Sequence, residues 1–158
     1  MLAGPFADYY CRVSGGDETA GLDYRGPLAA GEEGLRAELG QQLEEKAGQE
    51  RRLGHTLCGP HRDDLVFLLN QQPADSYASE GQLKTILIAW KMAEVRLLEQ
   101  LGQVQPVLLL DDVFSELDPL RVNELLEMVD EFDQVIVTTP QEPDAPLRGR
   151  FEGIHLPD

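Results

Sequence analysis

Two adjacent carboxylates, Asp111 and Asp112, directly follow the apolar run Val107–Leu110. A short run of branched apolar residues that ends in charge is typical of a buried parallel strand, and open α/β sheets place their ligand sites at the carboxyl ends of such strands. Neighbouring carboxylates repel each other and are costly to desolvate without a cation or another partner. In nucleotide hydrolases the first such carboxylate holds Mg²⁺ and the second can orient the attacking water. The pair therefore predicts part of a nucleotide-using enzyme.

The sequence has no phosphate-binding loop of the G-x-x-x-x-G-K-S/T type. Such a loop needs glycine N–H groups that approach the phosphates and a lysine that neutralises them. The only lysines are Lys46, Lys84 and Lys91, and none of them follows a glycine. Either the loop lies on another stretch of polypeptide, or the carboxylates serve a different chemistry. We therefore expect this chain by itself to hydrolyse no ATP.

Ser79 precedes the strongest helical pattern of the chain. Ser79 and Gln82 have the spacing of a capping box, in which each side chain satisfies a backbone N–H group of the first turn. The same helix N-terminus, with a serine hydroxyl and the N–H of Gly81 nearby, is suited to gripping a phosphate. Both interpretations stay open. Glycine in a first turn lowers helix propensity, which slightly favours close approach of a ligand.

The predicted elements that position these residues form a strand–helix–strand unit. Asp118 is a natural N-cap with Pro119 in the first helical position, and Gln134–Thr138 predicts the following strand. Upstream, Leu65–Leu69 predicts a strand that ends in a turn. The helix that starts at Ser79 is predicted to bury one apolar face, formed by Leu83, Ile86, Leu87, Trp90, Ala93, Leu97 and Leu101.

The N-terminal third predicts a hairpin followed by a helix. Tyr9–Val13 and Leu22–Tyr24 have strand-like compositions, and the turn-rich segment Ser14–Asp17 lies between them. Residues 32–52 are charged and carry leucines four apart, which indicates a solvated helix with one apolar stripe.

The formal net charge is −16 over 158 residues. A broad DNA-binding face needs clustered Lys and Arg, so this charge argues against such a face on this chain. No apolar run approaches the roughly 20 residues of a membrane span, and the N-terminus lacks a signal pattern. Cys11 and Cys58 are too few and too far apart in the sequence for a disulfide scaffold or a metal site. A chain without such a scaffold is typical of a reducing compartment, so we expect a cytoplasmic protein.

The segment from Gly59 to Asp64 contains His61, Arg62 and Asp63 in the order of a protein-kinase catalytic loop. The asparagine that this loop requires is not at the right spacing, so the kinase interpretation fails. A metal site formed by His61, Asp63 and Asp64 is a further possibility, but a polar turn that enters a strand is favoured.

Four motifs in order, GPHRDDL (59–65), YASEGQ (77–82), VLLLDDVFSELD (107–118) and QVIVTT (134–139), resemble the C-terminal half of the RecF family. These are bacterial recombination-mediator ATPases of the ABC type. The single motifs are shared by all ABC ATPases, but GPHRDDL shortly before an S-x-G-Q signature points to RecF. The resemblance implies an α/β fold, a partial ABC-type (SMC-like) ATPase head with a parallel-sheet core. Residues 1–55 would be a hairpin and helical arm, and residues 56–158 the C-terminal portion of the ATPase domain.

The resemblance also implies roles for individual residues. Asp111 would be the Walker B residue that coordinates Mg²⁺ with ATP, and Asp112 would polarise the attacking water. The signature residues that meet the γ-phosphate of ATP on the other subunit would be Ser79, Gly81 and Gln82. The D-loop would contain Ser115 and Asp118, and Thr139 would occupy the position of a phosphate sensor. Lys84 stands where the family often has Arg. No role transfers securely to His61, Arg62, Asp63 or Asp64.

The function implied by the resemblance is that of a DNA-dependent ATPase in DNA replication, recombinational repair, single-strand gap repair and the SOS response. ATP and Mg²⁺ would drive homodimerisation, and the dimer would load the mediators RecO and RecR at single-strand/double-strand DNA junctions. DNA would bind mainly through a part of the protein that is missing here. No membrane would be involved. Two other classes stay open. One is a divalent-metal phosphotransferase or nuclease that uses Asp111, Asp112 and Asp118, and the other is a non-enzymatic interaction domain of ABC shape.

Overall fold

The computed structural model describes residues 1–26, 31–102, 105–114, 117–140 and 151–153. The helices are α1 (Ala3–Ser14), α2 (Gly31–Leu53), α3 (Ala74–Tyr77), α4 (Glu80–Gly102) and α5 (Pro119–Val129), and a 3₁₀ turn spans Pro60–Arg62. The strands are β1 (Ala20–Arg25), β2 (Asp64–Leu69), β3 (Gln72–Pro73), β4 (Leu108–Asp111) and β5 (Val135–Thr138). One sheet has the order β1-β2-β3, and β4 pairs with β5 in the other.

The chain divides into two compact units. Unit 1 contains Met1–Gly21 and Phe67–Asp158, and unit 2 contains Leu22–Val66. The predicted division at residues 55 and 56 refers to the domains of a longer protein and stays a prediction. Among the described residues, no helix is both long enough and apolar enough to span a membrane.

The predicted strand–helix–strand unit is present in unit 1. Strands β4 and β5 are parallel, with a register that runs from Leu108 opposite Val135 to Asp111 opposite Thr138. Helix α5 connects them and begins as predicted, because the Asp118 carboxylate accepts hydrogen bonds from the N–H groups of Leu120 (3.0 Å) and Arg121 (3.1 Å). The parallel register brings the carboxyl ends of both strands to one edge.

The core of unit 1 forms where α1 packs against α4 and α5. The fully buried side chains include Phe6, Tyr10 and Val13 of α1, Ile86 and Met92 of α4, and Leu125, Leu126 and Met128 of α5. Three aromatic rings meet at one end of this core. The Phe67 ring centroid lies 5.5 Å from that of Phe6 and 5.4 Å from that of Trp90. Burial of such side chains contributes roughly 1.5–3 kcal/mol each.

The predicted N-terminal hairpin is wrong, because Tyr9–Val13 belongs to helix α1. Aromatic and branched residues suggested a strand, but Phe6, Tyr9, Tyr10 and Val13 recur at the helical spacing of three and four residues and are all buried. Gly15 ends the helix at φ 77°, and its N–H donates to the carbonyl of Arg12. Only the second half of the expected hairpin, in β1, is a strand.

The predicted buried face of α4 is wrong in part. Leu87 is 55% exposed and Leu101 is 65% exposed, whereas Thr85 and Ala89 are fully buried. The buried face therefore includes small and polar positions that a pattern of large apolar residues does not reveal. Thr85 tolerates burial because its hydroxyl donates to the carbonyl of Gly81 (2.8 Å).

The predicted charged helix and the predicted strand and turn from Leu65 are confirmed. Helix α2 covers the charged segment and buries none of its residues. Strand β2 ends at Leu69, and Asn70 and Gln71 form the turn to β3 with φ values of 49° and 67°. Both residues therefore adopt the left-handed conformation that a two-residue hairpin turn requires.

Glu131, just after α5, joins three helices of unit 1. Its Oε1 accepts from Arg12 Nη2 of α1 (2.5 Å), and its Oε2 lies 3.4 Å from Arg96 Nη2 of α4. The guanidinium of Arg96 also lies 4.6 Å from the ring centroid of Phe132. The hydrogen bond from Arg12 is the largest of the effects that hold the pKa of Glu131 below its usual value.

Glu131→Gln in the 158-residue chain is expected to lower the free energy of unfolding at pH 7. The side chain is 35% exposed, so solvent screening limits the loss to about 1 kcal/mol. A carboxylate whose pKa is lowered by folding stabilises the protein above its unfolded pKa of about 4.3, and that stabilisation is lost as the pH falls. Urea denaturation at neutral pH and at about pH 3 should therefore show the difference only at neutral pH. The exposed Glu127→Gln serves as the control, and an equal loss at both pH values would contradict the assignment.

Candidate active site

The carboxyl end of β4 carries Asp111, whose carboxylate accepts a hydrogen bond from the hydroxyl of Thr138 on β5. The pairing follows from the register, which places these two residues opposite each other. Asp111 is exposed, and its carboxylate is therefore accessible to a ligand at this edge. Thr139, the predicted position of a phosphate sensor, directly follows Thr138 at this edge, and its role stays a prediction.

Asp112 leaves the strand with φ 47°, in the left-handed region that few residues other than glycine adopt. Its N–H donates to the carbonyl of Thr138 (3.0 Å), which fixes the backbone where β4 ends. Strained conformations of this kind cost about 1–3 kcal/mol and are concentrated at functional sites. The Lys84 ammonium of α4 lies 3.4 Å from the Asp112 carbonyl oxygen and brings a positive charge to this end of β4.

The N-terminus of α4 has the complete capping box that the sequence predicted. The N–H of Gln82 donates to Ser79 Oγ (3.3 Å), and the N–H of Ser79 donates to Gln82 Oε1 (2.7 Å). Ser79 is exposed. Because its oxygen acts as the acceptor, the hydroxyl proton can still be donated to an anion. Capping and phosphate binding are therefore compatible at this position.

Glu18 connects the predicted signature residue Gln82 to the start of α5, and no pattern in the sequence singles it out. Its Oε1 accepts a hydrogen bond from Gln82 Nε2, and its Oε2 accepts from the Tyr10 hydroxyl (2.7 Å). Arg121 Nη2 lies 3.5 Å from Glu18 Oε2, and Arg121 Nε lies 3.4 Å from Asp118 Oδ2. Burial, reinforced by the hydrogen bond to Glu18, raises the pKa of the Tyr10 phenol, so Tyr10 stays neutral.

The predicted site residues thus form two groups in unit 1. Asp111 and Asp112 lie with Thr138 and Lys84, and the signature residues Ser79 and Gln82 are linked to Asp118 through Glu18 and Arg121. The signature glycine, Gly81, lies in the first turn of α4. Thr139 follows β5 directly, and Ser115 lies outside the described residues.

A metal site formed by Asp111, Asp112 and Asp118 without a nucleotide was the other chemistry that the sequence left open. Within the described ranges, no group of three or more His, Cys, Asp or Glu side chains could hold a metal ion. Asp118 Oδ1 accepts from two backbone N–H groups as the N-cap of α5. Protein sites for Mg²⁺ commonly supply one or two carboxylates while substrate phosphates complete the coordination. Asp111 fits that kind of site.

The GPHRDDL segment of unit 2 forms a polar turn before β2. His61 Nε2 lies 3.0 Å from Thr56 Oγ1, Arg62 Nη2 donates to the carbonyl of Thr56 (3.1 Å), and Asp63 accepts from the Tyr24 hydroxyl. These contacts agree with the favoured interpretation of a turn that enters a strand.

No protein-family model matches the chain. The DNA replication and repair protein RecF of Rippkaea orientalis is 42% identical over 83% of this chain and 35% of its own length. RecF of Trichodesmium erythraeum is 36% identical over 99% of this chain and 41% of its own length. Two solved structures of the recombination mediator protein RecF in the RecFOR pathway, RecF-ATPrS and RecF-ATP, are 30% identical to it. The TM-scores are 0.67 for RecF-ATPrS and 0.68 for RecF-ATP. The matches cover 89% and 91% of this chain, and 38% and 39% of the two solved chains.

The parallel strand pair, its flanking helices and these structural matches define the fold as part of an α/β ATPase head of the ABC type. Both the predicted fold class and the resemblance are confirmed. The chain belongs to the RecF family. It spans about two fifths of the length of the curated relatives cited above, between 35% and 41%.

Ser79→Ala in the 158-residue chain is expected to cost about 1 kcal/mol of folding free energy, because the Gln82 N–H loses its acceptor. Ser79→Asp should restore the stability, since aspartate caps equally well. Denaturant unfolding of the variants provides the measurement. Ser76→Ala, which removes an exposed hydroxyl bonded to the adjacent Asp75, is the control and should be nearly neutral. Equal stabilities for the Ala and Asp variants of Ser79 would show that the cap contributes nothing.

Proposed function

We propose that this chain is the part of a RecF-like DNA replication and repair ATPase that carries the signature, the Walker B carboxylates and the D-loop. The observation that carries the proposal is the end of β4, where Asp111 is held by Thr138 and Asp112 adopts a left-handed backbone. Membership of the RecF family, whose solved relatives include one designated RecF-ATP, supports ATP as the nucleotide.

The two carboxylates have separate roles in this proposal. Asp111, exposed at the strand end, would hold Mg²⁺ together with the phosphates of ATP. Asp112 would orient the attacking water, and its fixed backbone limits the reorganisation that this requires. Lys84 anchors α4 to the same strand end through the Asp112 carbonyl. A bound Mg²⁺ would supply charge stabilisation for the transferring phosphoryl group.

The signature would act on ATP that is held by a second copy of the protein. Helix α4 is 23 residues long, and its N-terminus offers a positive dipole end together with the Ser79 hydroxyl. Gly81 in the first turn leaves room for a phosphate to approach the backbone. ATP would thereby join two copies, and the D-loop, with Ser115 and Asp118, would lie at their interface.

The β4–β5 sheet supports the proposal that further polypeptide completes the nucleotide site. Leu108 and Leu110 are buried on one face, whereas Leu109 is 66% and Ile136 47% exposed on the other. Parallel sheets are normally covered on both faces, so this apolar face calls for additional structure. The relatives are more than twice as long as the segment matched here. The phosphate loop and most of the DNA-binding surface would lie in the part that this chain does not span.

The function that follows is DNA-dependent ATP hydrolysis in recombinational and single-strand gap repair. ATP-dependent dimers would load the mediators RecO and RecR at single-strand/double-strand DNA junctions. The net charge of −16 supports this proposal, because contacts with DNA phosphates need Lys and Arg, which would lie in another part of the protein. The placement of solved relatives in the RecFOR pathway supports these partners.

Asp112→Asn in the full-length protein is expected to abolish ATP turnover while ATP binding persists, because the amide cannot orient and polarise the water as a carboxylate does. Trapped ATP should accumulate in a dimer. Single-turnover hydrolysis and equilibrium ATP binding provide the two measurements, and Asp133→Asn, at an exposed carboxylate, is the control. Loss of ATP binding with normal turnover per bound nucleotide would contradict the role assigned to Asp112.

Ser79→Asp in the full-length protein separates phosphate binding from capping. Aspartate retains the cap but sets a carboxylate against the γ-phosphate, so the fold should stay stable while the ATP-dependent dimer is lost. Sedimentation with ATP and Mg²⁺ provides the measurement. A dimer as abundant as that of the wild type would reduce the function of Ser79 to capping.

A further inference from the structure

The signature segment is held by a carboxylate from outside the ATPase motifs. Glu18 lies between α1 and β1, and its two oxygens accept from Gln82 Nε2 and from the Tyr10 hydroxyl. We propose that Glu18 is a positioning residue that fixes the signature and, through Arg121, couples it to the D-loop. This inference rests on the proposed function of Ser79 and of the ATP-dependent dimer.

The position of Glu18 is fixed from two sides. Tyr10, which is fully buried in the core, donates to Glu18 Oε2 at 2.7 Å. The next residue, Thr19, exchanges hydrogen bonds with Asn70: its N–H donates to Asn70 Oδ1 (2.9 Å), and its carbonyl accepts from the Asn70 N–H (2.8 Å). Glu18 therefore extends from a backbone segment that is tied to the rigid core and to the β2–β3 turn.

The contact with Glu18 determines how Gln82 is oriented. The amide oxygen of Gln82 accepts from the Ser79 N–H, and its amide nitrogen donates to Glu18. Both ends of the amide are therefore engaged, so Glu18 fixes the side chain that in turn holds the Ser79 backbone. Gln82 supports Ser79 in this arrangement and leaves the serine hydroxyl to meet the phosphate.

The other branch of the network leads to the D-loop. Arg121 Nη2 lies 3.5 Å from Glu18 Oε2, and Arg121 Nε lies 3.4 Å from Asp118 Oδ2. The side chains of Glu18 and Arg121 are only 18% and 17% exposed, so their mutual attraction is screened less than that of a surface pair. A displacement of the D-loop at Asp118 would be transmitted through Arg121 and Glu18 to Gln82, because each of these side chains contacts the next.

The test is a double-mutant cycle in the full-length protein, with dimerisation measured by sedimentation in the presence of Mg²⁺ and a non-hydrolysable ATP analogue. Glu18→Ala is expected to raise the nucleotide concentration for half-maximal dimerisation about tenfold while nucleotide affinity of the monomer stays unchanged. In the Ser79→Ala background, the same substitution should add less than about twofold, because its effect passes through Ser79. Asp17→Ala, at the adjacent exposed carboxylate, is the matched control.

A second arm tests the contact without truncating Glu18. Gln82→Glu keeps the capping box, in which glutamate is as suitable as glutamine, but sets two carboxylates together. Glu18→Gln in that background restores the hydrogen bond with the roles exchanged, because the amide at position 18 can donate to the carboxylate at position 82. The double variant should therefore recover at least part of the lost dimer. A double variant that dimerises no better than Gln82→Glu would overturn the inference.

The outcomes separate this inference from the function on which it rests. Normal dimerisation of Ser79→Ala would overturn the proposed role of the signature, and the inference with it. A defective Ser79→Ala together with a normal Glu18→Ala would overturn the role of Glu18 alone. Equal tenfold losses from Glu18→Ala in both backgrounds would show that Glu18 acts independently of Ser79, and would likewise overturn the inference.

Discussion

The packing of α1 against α4 is the constraint on which the candidate site depends. Phe6, Tyr10 and Val13 of α1 are fully buried in the core that α1 forms with α4 and α5. That burial places the Tyr10 hydroxyl where it meets Glu18, and Glu18 then reaches Gln82 at the first turn of α4. The hydrophobic core therefore sets the position of a polar network, and the network orients Gln82, which in turn accepts from the Ser79 N–H. The core and the polar network depend on each other, because a carboxylate that is largely removed from solvent needs hydrogen-bond donors and those donors need a rigid support.

Strand pairing positions the second group of predicted site residues in unit 1, those at the carboxyl end of β4. The parallel register of β4 and β5 places Thr138 beside Asp111, while the left-handed backbone of Asp112 ends the strand at that point. A strained backbone persists only where its surroundings hold it, and here the hydrogen bond from the Asp112 N–H to Thr138 supplies part of that support. The structure thus treats the two carboxylates differently: Asp111 is held by a side-chain hydrogen bond, and Asp112 has a left-handed backbone.

Net charge and exposed apolar surface both support the proposal that further polypeptide completes the nucleotide site. The chain is strongly acidic and contains the proposed Walker B carboxylates and the proposed signature, whereas phosphate loops and DNA surfaces require basic residues. The exposed Leu109 and Ile136 lie on the face of a parallel sheet that is normally covered. Both features are consistent with a segment that functions within a longer polypeptide of the RecF family.

The sequence by itself determined the features that depend on local spacing: the Asp118 cap of α5, the capping box of Ser79 and Gln82, the helix α2 and the carboxylates at the end of β4. The two caps and the helix are local because their hydrogen bonds join residues a few positions apart, and the place of the carboxylates follows from the apolar run directly before them. Sequence composition failed at α1, where aromatic residues suggested a strand although their spacing was helical. Only the tertiary structure decided which face of α4 is buried, that Thr138 contacts Asp111, and that Glu18 joins Gln82 to Arg121. Those contacts join residues 27, 64 and more than 100 positions apart, so packing and strand register, rather than any local pattern, bring them together.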